Sequence, residues 1–429
     1  MSQWFVQKSK LSGEIEIPPS KSHTLRAILL ASLAHGISSI TTYLPSPDTF
    51  SMIEACRLLG AKIEVLPDHL RIEGTGGCVR QAEDVIHAGN SGIVLRFCSA
   101  IAALSSHPIV ITGDFSIRHQ RPMGPLIEGL QQLGVHAIST KGDGYAPLII
   151  QGPLKPGPVH LMGEDSQYVS ALLMAAAFAE GITELHVSNP GEKPWVALTL
   201  HWLQHLGIQC EHDNFKFYRI LGPNQYPGFT YAVPGDFSSA AFPLVAALVT
   251  GSQLTLKNLS MQDSQGDKAV LSVLQGMGAN ITVNEKTHSV TVQGGDPLKG
   301  CSLDVNDFID AVPILATLAC YAQGTTHLYH ASMARHKECN RLKGMMTQLT
   351  KMGAKIEETE DGLKIEGGRC LHGATLESYH DHRLAMALTI AGLGAEGATI
   401  ISPTECVAKT FPTFAKDFMT LGAAIHELD

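Results

Sequence analysis

The chain has 429 residues, 44% of them hydrophobic, and a formal net charge of −9, enough for roughly two or three ordinary domains with sizeable cores. The acidic balance, without any basic tract, argues against nucleic acid as a partner. Nine cysteines run from Cys56 to Cys406 without a CxxC pair, which points away from a disulfide framework or structural zinc and towards reduced thiols in a cytoplasmic compartment.

The N-terminal MSQWFVQKSKLSGEIEI has no signal pattern, and no apolar run reaches membrane-spanning length. Next comes IPPSKSHTLRAILLASLA, where Pro18 and Pro19 favour an extended entry and Ser20 or Ser22 can cap a helix. Leu25, Ile28, Leu29 and Leu33 share one face of that helix, and Gly36 stops it. Lys21 and Arg26 sit by its first turn, where free amides and the helix dipole already favour an anion. Taken alone, the segment reads first as a capped helix with two solvated cations, and only its repetition along the chain favours an anion.

Further along, Gly89-Asn90-Ser91-Gly92 opens an apolar helix carrying Arg96, with glycines that let a ligand approach the backbone. Arg121 begins RPMGPLIEGLQQLG, with Pro122 at a first-turn position. Asp165-Ser166-Gln167 and Lys193-Pro194-Trp195 open two more helices. Asp310 heads DAVPILATLA, and an N-cap accounts for it as well as proton transfer does. Arg335-His336-Lys337-Glu338-Cys339-Asn340-Arg341 gathers cations around one carboxylate. His380-Asp381-His382-Arg383 invites a metal reading, but adjacent ligands without a well-spaced third favour a helix cap with flanking histidines. Lys409 follows in AKTFP.

Two interleaved repeats organise all of this. An apolar–Gly–small phrase ends a helix at Gly60, Gly134, Gly207, Gly278, Gly353 and Gly422, spaced by 69 to 75 residues. Out of phase with it, a small polar residue opens a strongly apolar helix at Ser22, Ser91, Ser166, Ser238, Asp310 and Asp381. Six such units imply two three-unit domains, divided near Pro234 with the Gly/Pro-rich Gly222–Tyr231 as connection. Converging helix starts would gather Lys21, Arg26, Arg121, Arg335, Lys337, Arg341, Arg383 and Lys409 against Asp310 and Glu338. Such a site suits polyanionic substrates and proton transfer at a hydroxyl and a carbon. No phosphate-binding P-loop or dinucleotide fingerprint occurs.

The phrases PSKSHTLRA, GNSG, RPMGPLIEGLQQLG, DSQYVSALLMAA, VPGDFSSAAF, DAVPILA, RHKECNRL, HDHRLAMAL and AKTFP, in this order, resemble the 3-phosphoshikimate 1-carboxyvinyltransferase (EPSP synthase) family. The likeness runs from about Gly13 to the C-terminus. It implies a two-domain inside-out α/β barrel of six βαβαββ units, three per domain, with residues 1–19 joining 234–429 and 20–233 forming the other domain. It also implies an active site in an interdomain cleft that closes over both ligands, and transfer of enolpyruvyl from phosphoenolpyruvate to the 5-hydroxyl of shikimate 3-phosphate. Neither metal nor organic cofactor is implied.

By the same resemblance, Lys21 touches both substrates. Ser22, Arg26, Ser166, Gln167, Asp310 and Lys337 hold shikimate 3-phosphate, while Gly92, Arg121, Gln167, Arg341, Arg383 and Lys409 hold phosphoenolpyruvate. Asp310 handles the hydroxyl proton, Glu338 the proton at the methylene carbon, and Lys21 is a candidate acid for the leaving oxygen. Gly92 leaves room beside phosphoenolpyruvate, so inhibition by glyphosate is expected. A monomer acting on small molecules in the cytoplasm, without nucleic acid or membrane, is expected too. Asp165, Trp195, Met333 and Asn340 depart from the commonest family pattern, in the manner of a branch similar to chlamydial members. Asp165 replaces a serine, and its carboxylate would repel the acceptor's phosphate unless it turns away or pairs with a cation. The alternatives are a paralogous transferase with another hydroxyl acceptor, or a polyanion-binding protein without catalysis.

Overall fold

The computed structural model describes residues 2–428. The chain forms two compact units: a continuous one, Lys21–Val233, and a discontinuous one joining the N-terminal segment through Ser20 to the chain from Pro234 onward. Each has its own apolar core. Among the described residues, six four-stranded sheets share one pattern, three per unit. In the second repeat, Ile86–His87 runs parallel to Ile109–Thr112, which pairs antiparallel with Leu148–Gln151, itself antiparallel to His136–Ser139. With the helices Gly92–Ala102 and Gly124–Gln132 between the strands, this is a βαβαββ unit.

The N-terminus belongs to the discontinuous unit because its strands are needed there. Ser12–Glu16 lies parallel to Gln253–Lys257, and Gln3–Gln7 pairs antiparallel with both Ala398–Ser402 and Ala424–Leu428. Gly222–Tyr231 is not a linker, contrary to its composition. Thr230–Ala232 is the parallel edge strand beside Ile37–Thr41, and the Tyr226 hydroxyl donates to Leu30 O, so the segment is part of the continuous unit's first repeat.

The repeat glycines have a stereochemical cause. All six have φ between +78° and +113°, outside the range that L-residues adopt without strain, so each ends a helix and turns the chain into the next strand. Apolar helices such as Gly92–Ala102, Ser166–Ala176 and His382–Gly394 are buried on all sides, as their composition requires. Among the described residues, no helix is long and apolar enough to cross a membrane.

The caps shift relative to the sequence expectation. Ser91 and Asp381 cap as expected, but Asp165, not Ser166, accepts from Gln167 N, and Asp236, not Ser238, accepts from Ser238 N. Ser20 stands directly before the helix Lys21–Leu33, and Ser22 lies within it. Asp310 is no cap: it lies in a 3-10 turn, Asn306–Ala311, before the helix Val312–Tyr321, which has no side-chain cap.

Candidate active site

In the continuous unit, the helix starts carry a linked polar cluster. Gly92 stands where a Cβ would lie 2.9 Å from Arg96 Nη1 and 3.5 Å from both Arg121 Nη1 and Gln167 Oε1. Three expected phosphoenolpyruvate residues, Gly92, Arg121 and Gln167, are therefore neighbours, and Arg96 joins them. Arg96 is fully buried. It donates to Gln167 Oε1 (3.0 Å) and Pro122 O (3.2 Å), lies over the Tyr168 ring, and pairs with Asp165 Oδ2 at 3.1 Å. Asp165 thus pairs with a cation, one of the two arrangements that spare an acceptor phosphate its repulsion.

Ser166 donates from N and Oγ to Glu192 Oε2, at 3.3 and 2.8 Å. Glu192 is buried, with a left-handed φ of 47°, just before the helix Lys193–His205. That helix in turn holds Arg26, whose Nε donates to Thr199 Oγ1 (3.0 Å) and Nη2 to Trp195 O (3.2 Å). Arg26 also donates to Ser22 O and stacks over Phe97. Burial pushes its guanidinium down to about 9, the signature of a cation held chiefly by neutral acceptors. Lys21 Nζ lies 3.7 Å from Asp48 Oδ2, in the first turn of the helix Pro47–Leu58.

In the discontinuous unit, Arg341 is the hub. Its side chain is only 1% exposed, yet it reaches three carboxylates: Nη1 donates to Asp310 Oδ1 (2.8 Å), Nη2 to Glu338 Oε2 (2.7 Å) and Nε to Asp381 Oδ2 (2.8 Å). Burial alone would lower its pKa, but Asp381, Glu338 and Asp310 together raise it well above the ordinary value. Arg383 Nη2 donates to Asp310 Oδ2 (2.9 Å), and Lys409 Nζ to Glu338 Oε1 (2.7 Å). The Asp381 carboxylate also caps the helix His382–Gly394 through Arg383 N. Asp310, at 24% side-chain exposure against 5% for Glu338 and 0% for Asp381, is the carboxylate that solvent reaches.

Glu338, Asp381 and His382 present ligand atoms within 4.8 Å of one another, but Arg341 and Lys409 already neutralise these carboxylates and a metal ion would have to displace them. A second such group, Cys370, His372 and Glu396, is exposed.

Lys337 is buried beside Glu338 in sequence. Arg335 does not join the cluster, against expectation; it pairs with Glu358 and donates to Thr359 O and Glu360 O, bracing a neighbouring hairpin. Sequence reasoning missed Asp48, Glu192 and the pairing role of Arg96. A carboxylate in a turn, as in SPDT or GEKPW, reads as an ordinary surface residue until its burial is known.

Repeated βαβαββ units with arginines at the heads of buried helices define a class of polyanion-handling α/β proteins. The model of the family described as EPSP synthase (3-phosphoshikimate 1-carboxyvinyltransferase) matches residues 6–418. Proteins named 3-phosphoshikimate 1-carboxyvinyltransferase are similar over their length: 46% identity for that of Acetivibrio thermocellus (98% of each chain) and 44% for that of Chlamydia caviae (100% of this chain, 95% of the other). An EPSP synthase structure from Acinetobacter baumannii superposes with a TM-score of 0.84 at 29% identity, covering 100% of both chains. The chain belongs to the EPSP synthase family.

Proposed function

We propose that this protein transfers the enolpyruvyl group of phosphoenolpyruvate to the 5-hydroxyl of shikimate 3-phosphate and releases phosphate. The observation that carries the reading is the Asp310–Arg341–Glu338 arrangement, two carboxylates on one buried guanidinium, within a chain whose relatives bear that activity in their names.

Glu338 delivers a proton to the methylene carbon while Asp310 takes the proton of the attacking hydroxyl, and a tetrahedral intermediate results. Glu338 then recovers a proton from the new methyl group as the C–O bond to phosphate breaks, with Lys21 protonating the leaving oxygen. Shikimate 3-phosphate is assigned to Lys21, Ser22, Arg26, Ser166, Gln167, Asp310 and Lys337. Phosphoenolpyruvate is assigned to Lys21, Gly92, Arg121, Gln167, Arg341, Arg383 and Lys409. The burial of Arg341 and Arg383 supports their role: desolvated cations stabilise developing charge more strongly than solvated ones.

The same reading makes the protein a monomeric cytoplasmic enzyme of aromatic biosynthesis that needs only its two small substrates and is inhibited by glyphosate. The experiment is phosphate release from phosphoenolpyruvate with shikimate 3-phosphate, with unphosphorylated shikimate and with no acceptor. Release that requires the 3-phosphate supports the reading. Phosphoenolpyruvate binding without release under all three conditions sinks it in favour of another acceptor or a binding protein.

A further inference from the structure

Asp267 is a fully buried carboxyl that the chemistry above does not use. It lies in the 3-10 turn Gly266–Lys268, which packs against the turn Asn306–Ala311 that carries Asp310. Gln265 pins this turn: its Oε1 accepts from Phe237 N (3.0 Å) and its Nε2 donates to Gly235 O (2.8 Å). Ser238 Oγ donates to Asp267 Oδ2, while Oδ1 is buried with no hydrogen-bond partner. A buried carboxylate oxygen with no donor costs far more than a buried neutral carboxylic acid. Asp310 meanwhile accepts from Arg341 and Arg383, and both contacts weaken it as a base.

We propose that Asp267 is a positioning residue for Asp310: its buried carboxyl, anchored by Ser238, lies beside the reactive carboxylate and, on giving up its proton, opposes the pull of Arg341 and Arg383. The proposal rests on the transferase reading for its consequence in the reaction. The charged groups acting on Asp267 are Asp310 and Asp236, which disfavour its ionisation, and Arg383, which favours it. The adjoining helix Ala269–Gly276 carries no ionisable side chain. Burial foremost, then the Asp310 charge, push Asp267 up to about 7, so below neutral pH the pair carries one proton and one negative charge, and the proton is lost as pH rises through neutral. When Asp267 ionises, the second negative charge strengthens Asp310 as a base.

Asp267→Asn keeps the shape and an acceptor for Ser238 but cannot titrate. In wild type the turnover number rises as pH passes through the Asp267 titration. In Asp267→Asn that rise is lost, and the ratio of turnover at pH 8 to that at pH 6 falls by roughly threefold, the size of one unit of base strength half expressed in the transition state. Ser238→Ala, which removes a donor to the carboxylate, moves the rise to higher pH. An Asp267→Asn profile superimposable on wild type overturns the role.

A second arm needs no substrate. Unfolded Asp267 loses its proton near 4, while the folded form keeps it to about 7, so in this interval the native state binds more protons and wild-type stability falls as pH rises. The melting temperature of Asp267→Asn therefore rises relative to that of wild type between pH 4 and pH 7, and a constant difference overturns the buried proton. If wild type releases no phosphate with any acceptor, the transferase reading fails, and this arm still decides the protonation of Asp267.

Discussion

Arg96 Nη2 lies 3.1 Å from Asp165 Oδ2, and neither side chain is more than 3% exposed. A pair so desolvated gains little net stability as a pair, but removing one partner strands the other's charge. Arg96→Met should destabilise the protein by about 3–5 kcal/mol in denaturant unfolding. Adding Asp165→Asn should restore much of that, because the amide still accepts from Gln167 N and carries no charge to strand. A double variant as unstable as the single one would show that Arg96 acts through its contacts with Tyr168, Gln167 and Pro122 instead.

Arg341 holds Asp310, Glu338 and Asp381 through three different nitrogens. A lysine offers one compact ammonium and cannot span them. Arg341→Lys should lower the melting temperature and raise the Michaelis constant for phosphoenolpyruvate, because Asp310 and Glu338 each lose a cation, keeping Arg383 and Lys409 respectively, and the uncompensated negative charge repels the substrate's anions. Initial rates across phosphoenolpyruvate concentrations test this, and unchanged affinity would remove Arg341 from the assigned contacts.

Much of the fold is legible in the sequence because its cause is local. Each of the six glycines ends a helix by taking a φ that other residues resist, so a spacing in the sequence maps directly onto a repeated unit. Caps are less legible. Asp165 and Ser166 are both acceptable cap residues, and only geometry shows that the carboxylate reaches Gln167 N while the serine hydroxyl turns to Glu192. Cations at helix starts stand out against an acidic chain, so Arg341, Arg383 and Lys409 were readable as a group. Arg335 was not separable from them, because its partner Glu358 is brought near only by strand pairing. Asp267 and Glu192 carry no local sign of burial; their isolation from solvent comes from packing between distant segments.

Gly92 sits among Arg96, Arg121 and Gln167 with no room for a side chain on the Arg96 side. A methyl group 2.9 Å from Arg96 Nη1 must push that guanidinium or be pushed towards Arg121 and Gln167, the side assigned to phosphoenolpyruvate. Gly92→Ala should fold, raise the Michaelis constant for phosphoenolpyruvate, and weaken inhibition by glyphosate. Inhibition assays on wild type and variant at several phosphoenolpyruvate concentrations check all three. Inhibition that phosphoenolpyruvate does not relieve would place glyphosate elsewhere.

Asp310 and Glu338 share Arg341 but differ in reach, with side-chain exposures of 24% and 5%. The exposed carboxylate suits a proton that arrives with an acceptor hydroxyl, and the enclosed one a proton moved to and from carbon away from bulk water. Asp310→Ala and Glu338→Ala should each lower the turnover number by roughly 10²–10⁴-fold, the usual worth of a general acid or base. In heavy water both variants still place solvent deuterium in the product's methylene group, because the tetrahedral intermediate cannot form without a hydron on that carbon. Turnover near the wild-type value in either variant removes that residue from the chemistry.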